Sequence, residues 1–189
     1  MDLFWKIFTP LKYLCISHKQ KRFVDFLLPL VISSILTVIL LNLPVNVNIL
    51  GDKGIVTKVN SLLQVLSGFY VAALAAIASF SSKNLDEPLK GYGVELNGNQ
   101  LTRRQLLSYL FGYLAFVSYF LVLLGISLSI FTPNISLVIN ELSAVIISSL
   151  KFIFFLFYFT ALISVFLVTL LGLFYLTEKI HEIDSKFIE

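Results

Sequence analysis

Four long apolar runs, divided by charged segments, constrain this chain more than any other feature. They cover Phe23–Val45, Val59–Phe80, Leu106–Ile130 and Phe152–Leu176. Each reaches the roughly 20 residues a helix needs to cross a hydrocarbon core of about 30 Å. The expected fold is therefore an all-α integral membrane protein with four transmembrane helices. Composition agrees: 58% of the 189 residues are hydrophobic and 13% charged, against about half and a quarter in soluble domains.

Lysine and arginine set the expected orientation. Five precede the first run (Lys6, Lys12, Lys19, Lys21, Arg22), four lie between the second and third (Lys83, Lys90, Arg103, Arg104), and Lys179 and Lys186 follow the fourth. The opposite side has Lys53, Lys58 and Lys151. Positive charge stays on the cytoplasmic side, so both termini are expected there, as an even number of spans requires. The first run is too long for a signal peptide and has no cleavage site after it, so it is read as a retained span. Residues 1–22 form a cytoplasmic, interfacial segment broken at Pro10. Residues 23–176 form the membrane domain, and 177–189 an amphipathic cytoplasmic tail with Ile180, Ile183 and Phe187 at helical spacing.

Within the membrane domain the second span stands out. Gly68, Ala72 and Ala76 recur every four residues and share one face. Helices in lipid associate through close backbone approach at small residues. This face is therefore expected to pack against another helix, of the same chain or of a neighbouring copy. Asp25, one turn inside the first span, favours the helix dipole and pairs with the adjacent Lys21 and Arg22; a buried proton site is the sharper alternative. Hydroxyls and amides at depth (Thr37, Gln64, Ser67, Ser118, Thr160, Ser164, Thr169) would line a pore only in an oligomer. Tyr109, Tyr113 and Phe116 read as a packing stripe on span three.

The inner loop, Ser81–Thr102, is rich in turn residues, including Asn97-Gly98-Asn99. It closes on Thr102-Arg103-Arg104-Gln105, a capping box that starts span three. In the second outer loop, Thr132-Pro133-Asn134 is expected to turn. Cys15 is single, which excludes an internal disulfide. His18 and His181 lie in the flanks, far from any partner nucleophile or metal-ligand spacing. No catalytic, cofactor or metal motif is present in the sequence, so no enzyme activity and no cofactor are expected. A net charge of +3 falls short of a nucleic-acid footprint.

Four spans, internal termini and a basic inner loop ending in Leu101-Thr102-Arg103-Arg104 resemble the small four-span membrane subunits of bacterial anti-phage defence systems, the Kiwa membrane component in particular. The resemblance implies an oligomeric inner-membrane sensor or scaffold that works with a soluble cytoplasmic partner. The contact residues expected for that partner, or for lipid headgroups, are Lys90, Arg103, Arg104, Glu182 and Asp184. An oligomeric channel or membrane-disrupting effector is the other function this topology suits.

Overall fold

A computed structural model describes residues 3–17, 21–42, 54–80, 83–89, 94–139 and 143–177. Four helices in it are long and apolar enough to cross a membrane: Phe23–Asn42, Ile55–Ser79, Arg103–Phe131 and Val145–Thr177. The protein is an all-α, four-span membrane protein. The first span opens with a π-helical turn, Phe23–Leu27, and continues as α2, Leu28–Asn42. The second is α3, Ile55–Ser79. The third and fourth belong to longer helices, α5 (Arg103–Ile139) and α6 (Ala144–Thr177). At 1.5 Å per residue α5 is about 55 Å long, well beyond a bilayer core.

The spans form a row. α2 packs on α6, α6 on α5, and α5 on α3. Between 22% and 33% of each span is buried within the chain, so most of its apolar surface faces outward. The α3–α5 seam is made by Val56, Leu63, Tyr70 and Ile77 against the α5 face that carries Leu107, Leu114 and Leu121. The α2–α6 seam is more polar. Ser33, fully buried, shares a 2.7 Å hydrogen bond with Thr160.

Backbones approach closely at two glycines. A Cβ on Gly125 would collide with the Asn60 amide of α3, and one on Gly172 would stand 2.9 Å from Leu110 Cδ2. The Gly68/Ala72/Ala76 face is elsewhere. Gly68 and Ala72 are exposed, and nothing lies within 4 Å of a Cβ built on Gly68. At 100° per residue this face points away from the side of α3 that meets α5. Among the described residues Gly68 and Ala72 pack against no other helix. Ala76 borders an apolar cleft shared with Ile77, Phe80, Leu107 and Leu176.

Short elements lie along the side of α5 and at one end of the row, here called the capped end. α1 (Leu3–Ile7) is followed, after Phe8, by a 3₁₀ helix, Thr9–Cys15, whose second residue is Pro10. The inner loop supplies α4 (Lys83–Asp86) and a two-stranded hairpin, β1 (Glu95–Leu96) and β2 (Asn99–Gln100). Asn97 and Gly98 both have positive φ, 53° and 79°, which is the two-residue turn that matches strand twist. Thr102 and Gln105 exchange the two bonds of the capping box, 3.0 and 3.2 Å.

The expected turn at Thr132-Pro133-Asn134 is a correction: α5 runs through it to Ile139. A proline inside a helix removes one backbone bond and strains the preceding turn. The apolar run Ile135–Ile139 continues the helix instead.

Candidate functional site at the capped end

The N-terminal segment lies along the side of α5. Phe8 meets the Phe116 ring edge-on at 6.1 Å, Pro10 covers Gly112, and Tyr13 stacks on Tyr113 at 5.0 Å. Phe116 is about 20 Å along the helix from Arg103. The segment then emerges at the capped end, where Ser17 pairs with Glu95 of the hairpin through two backbone bonds of 2.9 and 3.4 Å. Tyr13 and Ile16 enter the same apolar core as Leu85, Leu89, Val94 and Leu101 of the inner loop. Small residues at 112 and large rings at 113 and 116 make this seat.

Polar groups converge beneath Tyr13. Its hydroxyl donates to Asp25 Oδ1 at 3.4 Å. Lys21 Nζ lies 2.7 Å from Asp25 Oδ2 and 4.0 Å from the centre of the Tyr13 ring. Oδ2 receives the ammonium as an ion contact, without a hydrogen bond of regular geometry. Asp25 is 3% exposed, and the Lys21 side chain 9%. Asp25 sits at the middle of the π-turn. A π-turn is wider than an α-turn by one residue and is frequently found at functional sites. Burial, and then the Asp25 charge, push the Tyr13 phenol far above its ordinary value, so it remains a donor. On the other side of the stack, Tyr113 shares a 3.1 Å hydrogen bond with Ser164 of α6. One cluster thus ties the N-terminal segment to the first, third and fourth spans. Removing one partner of a buried ion pair costs about 3–5 kcal/mol, whereas replacing both with apolar groups is close to neutral.

Arg104 holds the other side of the cap. Its Nη1 donates to the carbonyl of Ile77, and Nη2 to that of Phe80 at 2.7 Å. Nε and Nη2 grip both oxygens of Asp86, at 2.7 and 3.2 Å. The guanidinium therefore satisfies carbonyls at the end of α3, which a helix terminus otherwise leaves bare. This planar fork suits arginine and not lysine. The same bonds hold the Asp86 carboxyl below the usual carboxylate range.

The structure separates the residues expected to contact a partner or lipid. Arg104 is turned inward onto α3 and α4. Arg103 is half-buried, and its backbone N–H reaches Glu87 O at 3.4 Å. Lys90, Glu182 and Asp184 lie outside the described residues. Of the polar groups at depth, Thr37, Ser67, Ser118 and Ser164 are buried inside the chain, while Gln64 is exposed. Thr169 is hydrogen-bonded to Tyr70 at 2.6 Å. Among the described residues no three His, Cys, Asp or Glu side chains converge in a metal-binding group.

Sequence reasoning placed Asp25 beside Lys21 and Arg22 but assigned no role to Tyr13. The available signal was the spacing: a tyrosine upstream of an intramembrane acid is a natural hydrogen-bond donor for it. Compared with known proteins, the chain matches no family model, no curated protein and no solved structure.

Proposed function

We propose that this chain is a non-enzymatic subunit of a bacterial inner membrane that oligomerises and docks a soluble cytoplasmic protein, as the sensor or scaffold of an anti-phage defence system. The observation that supports this is the cap. The N-terminal segment, α4 and the hairpin are joined into one structure by the Ser17–Glu95 pairing and the Arg104 clamp. A rigid scaffold that presents loops at one end is the usual platform for recognition. The distribution of Lys and Arg puts this end in the cytoplasm.

In this reading Lys90, Arg103, Glu182 and Asp184 supply the polar edge that meets the partner. Arg104 acts by fixing the cap. The tail begins just beyond Leu176, at the apolar cleft beside Ala76. The outward-facing Gly68 and Ala72 on α3 are the surface for a neighbouring copy. Four of the polar groups at depth, Thr37, Ser67, Ser118 and Ser164, are buried within the chain, which favours the scaffold over a channel.

The test is co-purification of the adjacent gene's soluble product with wild type, with Lys90→Glu and Glu182→Lys, and with residues 178–189 deleted. Loss of the partner on charge reversal, and weaker binding at high salt, is the expected result. Undiminished binding in all variants overturns the docking surface. Steady conductance of the purified oligomer in a planar bilayer overturns the scaffold in favour of the channel.

A further inference from the structure

We propose that residues 178–189 continue α6 beyond Thr177 and seat their apolar stripe, Ile180 first, in the cleft at the ends of α3, α5 and α6. The cleft and the stripe are the two halves of one contact within the chain. That contact stands whether or not the cap docks a soluble partner.

The cleft lies at the capped end. α3 supplies Ala76, Ile77 and Phe80 to its wall, α4 supplies Leu85, α5 Leu107 and α6 Leu176. Every side chain that lines it is apolar, and its volume is about 180 Å³. An apolar cavity of about 150 Å³ holds one benzene, so this one takes one large side chain. Apolar surface left in water costs about 25 cal/mol per Å², so a filled cleft is favoured over an empty one.

Three fillers have the right chemistry: a lipid tail, a segment of a neighbouring copy, and the chain's own next residues. Height argues against the lipid. The carbonyls of Ile77 and Phe80, both on the cleft wall, accept from the Arg104 guanidinium. Asp86 of α4 pairs with the same group. Charges of this kind belong at headgroup level, above the acyl chains. Tethering argues against the neighbour. α6 is described to Thr177, and Leu176, the residue before it, is already part of the wall. A segment tethered so closely acts at an effective concentration in the mM range.

The residues that follow have the matching pattern. Leu176, Ile180, Ile183 and Phe187 recur at intervals of four, three and four. At that spacing they share one face of a helix. Glu178 and Glu182 fall on the opposite face. No glycine or proline follows Gly172, so the sequence has no stop signal at Thr177. On a continued helix Ile180 stands one turn, about 6 Å, past Leu176 on the same side. That puts it at the mouth of the cleft, with Glu182 turned to water.

The test uses the full chain in lipid vesicles, with Cys15→Ser to remove the single native thiol. One cysteine replaces Phe80, which is exposed on the cleft wall. A second replaces either Ile180 on the stripe or Glu182 on the opposite face. The pair is joined with a short bis-maleimide, and intact mass identifies the product. Phe80→Cys/Ile180→Cys should close within one chain roughly tenfold faster than Phe80→Cys/Glu182→Cys. Ala76→Phe, which fills the cleft from α3, should abolish that difference. Equal rates at the two tail positions overturn the proposal and leave the cleft to lipid or water. Closure between chains that outruns closure within one assigns the cleft to a neighbour's tail and overturns it too. So does a preference for Ile180 that survives Ala76→Phe. None of these readings involves the soluble partner, so the docking surface stands or fails separately.

Discussion

Adding one methyl group at Gly125 tests the packing of the third span directly. A Cβ there would lie 2.5 Å from Asn60 Oδ1 and 2.8 Å from Asn60 Cγ. Ordinary contact needs at least 3.4 Å, so the shortfall is close to 1 Å. Asn60 is 7% exposed and sits on the α3–α5 seam, where it has little room to retreat. Either its rotamer changes or the two helices part. Overpacking of this kind costs about 1–3 kcal/mol. Gly172→Ala meets the flexible end of Leu110 at 2.9 Å and the Phe111 ring at 3.3 Å, so its cost belongs at the low end of that range. Gly68→Ala meets nothing and should be neutral or slightly stabilising, since alanine favours a helix over glycine by up to about 1 kcal/mol. The assay is reversible unfolding from mixed micelles on titration with sodium dodecyl sulfate, followed by circular dichroism. The expected order of destabilisation is Gly125→Ala, then Gly172→Ala, then Gly68→Ala. Asn60→Ala should relieve most of the Gly125→Ala penalty, because the two changes share one contact. If Gly125→Ala costs no more than Gly68→Ala, or if Asn60→Ala gives no relief, the close approach of α3 and α5 at this level is wrong.

Other consequences can be measured on the same preparations. Arg104→Lys should loosen the end of α3, seen as faster amide exchange at Ile77–Phe80, because lysine cannot reproduce the forked contacts. Asp86→Asn should have a much smaller effect. The Asp86 carboxyl is held below the usual range, so its contribution is present at neutral pH and fades as the pH falls through that lowered value; it is exposed and should also fade with salt. Thr102→Ala and Gln105→Ala should each cost about 1 kcal/mol and less than the sum together, since they break the same reciprocal cap. Ala72→Leu should leave the unfolding of the single chain unchanged and alter the oligomer size in detergent; an unaltered oligomer removes that face from the assembly. In a Cys15→Ser background, cysteines at Asp52 and Asn134 should react with an impermeant reagent from outside and one at Lys90 should not; the reverse pattern inverts the orientation.

The spans were legible because hydrocarbon allows few alternatives to a helix, and a run of apolar residues is then enough. The capping box at Thr102 and Gln105 and the turn at Asn97-Gly98 were legible because each depends on residues three or fewer apart. Contacts between distant segments were not. The repeat of Gly68, Ala72 and Ala76 announces a narrow face but does not say which neighbour it serves, and the close approaches inside the chain fall at Gly125 and Gly172, which have no such repeat. Pro133 misled for a related reason: its turn preference is a local one, and α5 continues through it to Ile139 with the loss of a single backbone bond. Asp25 was correctly read as a partner of Lys21, while Arg22, the other base expected beside it, is exposed. The third member, Tyr13, reaches it from a segment whose apolar composition hid a hydrogen-bond donor.

The row of four spans has a further consequence. Its main contacts run in the order α2, α6, α5, α3, and Tyr70 of α3 also reaches Thr169 of α6. It also has two edges, α2 and α3, each with a helix flank that no other span of the same chain covers. Copies that join at these edges would extend the row or bend it into a ring, and the number of copies would follow from the angle at the joint. A water-filled passage in such an assembly would be a property of the closed ring and would vanish on dilution to monomers.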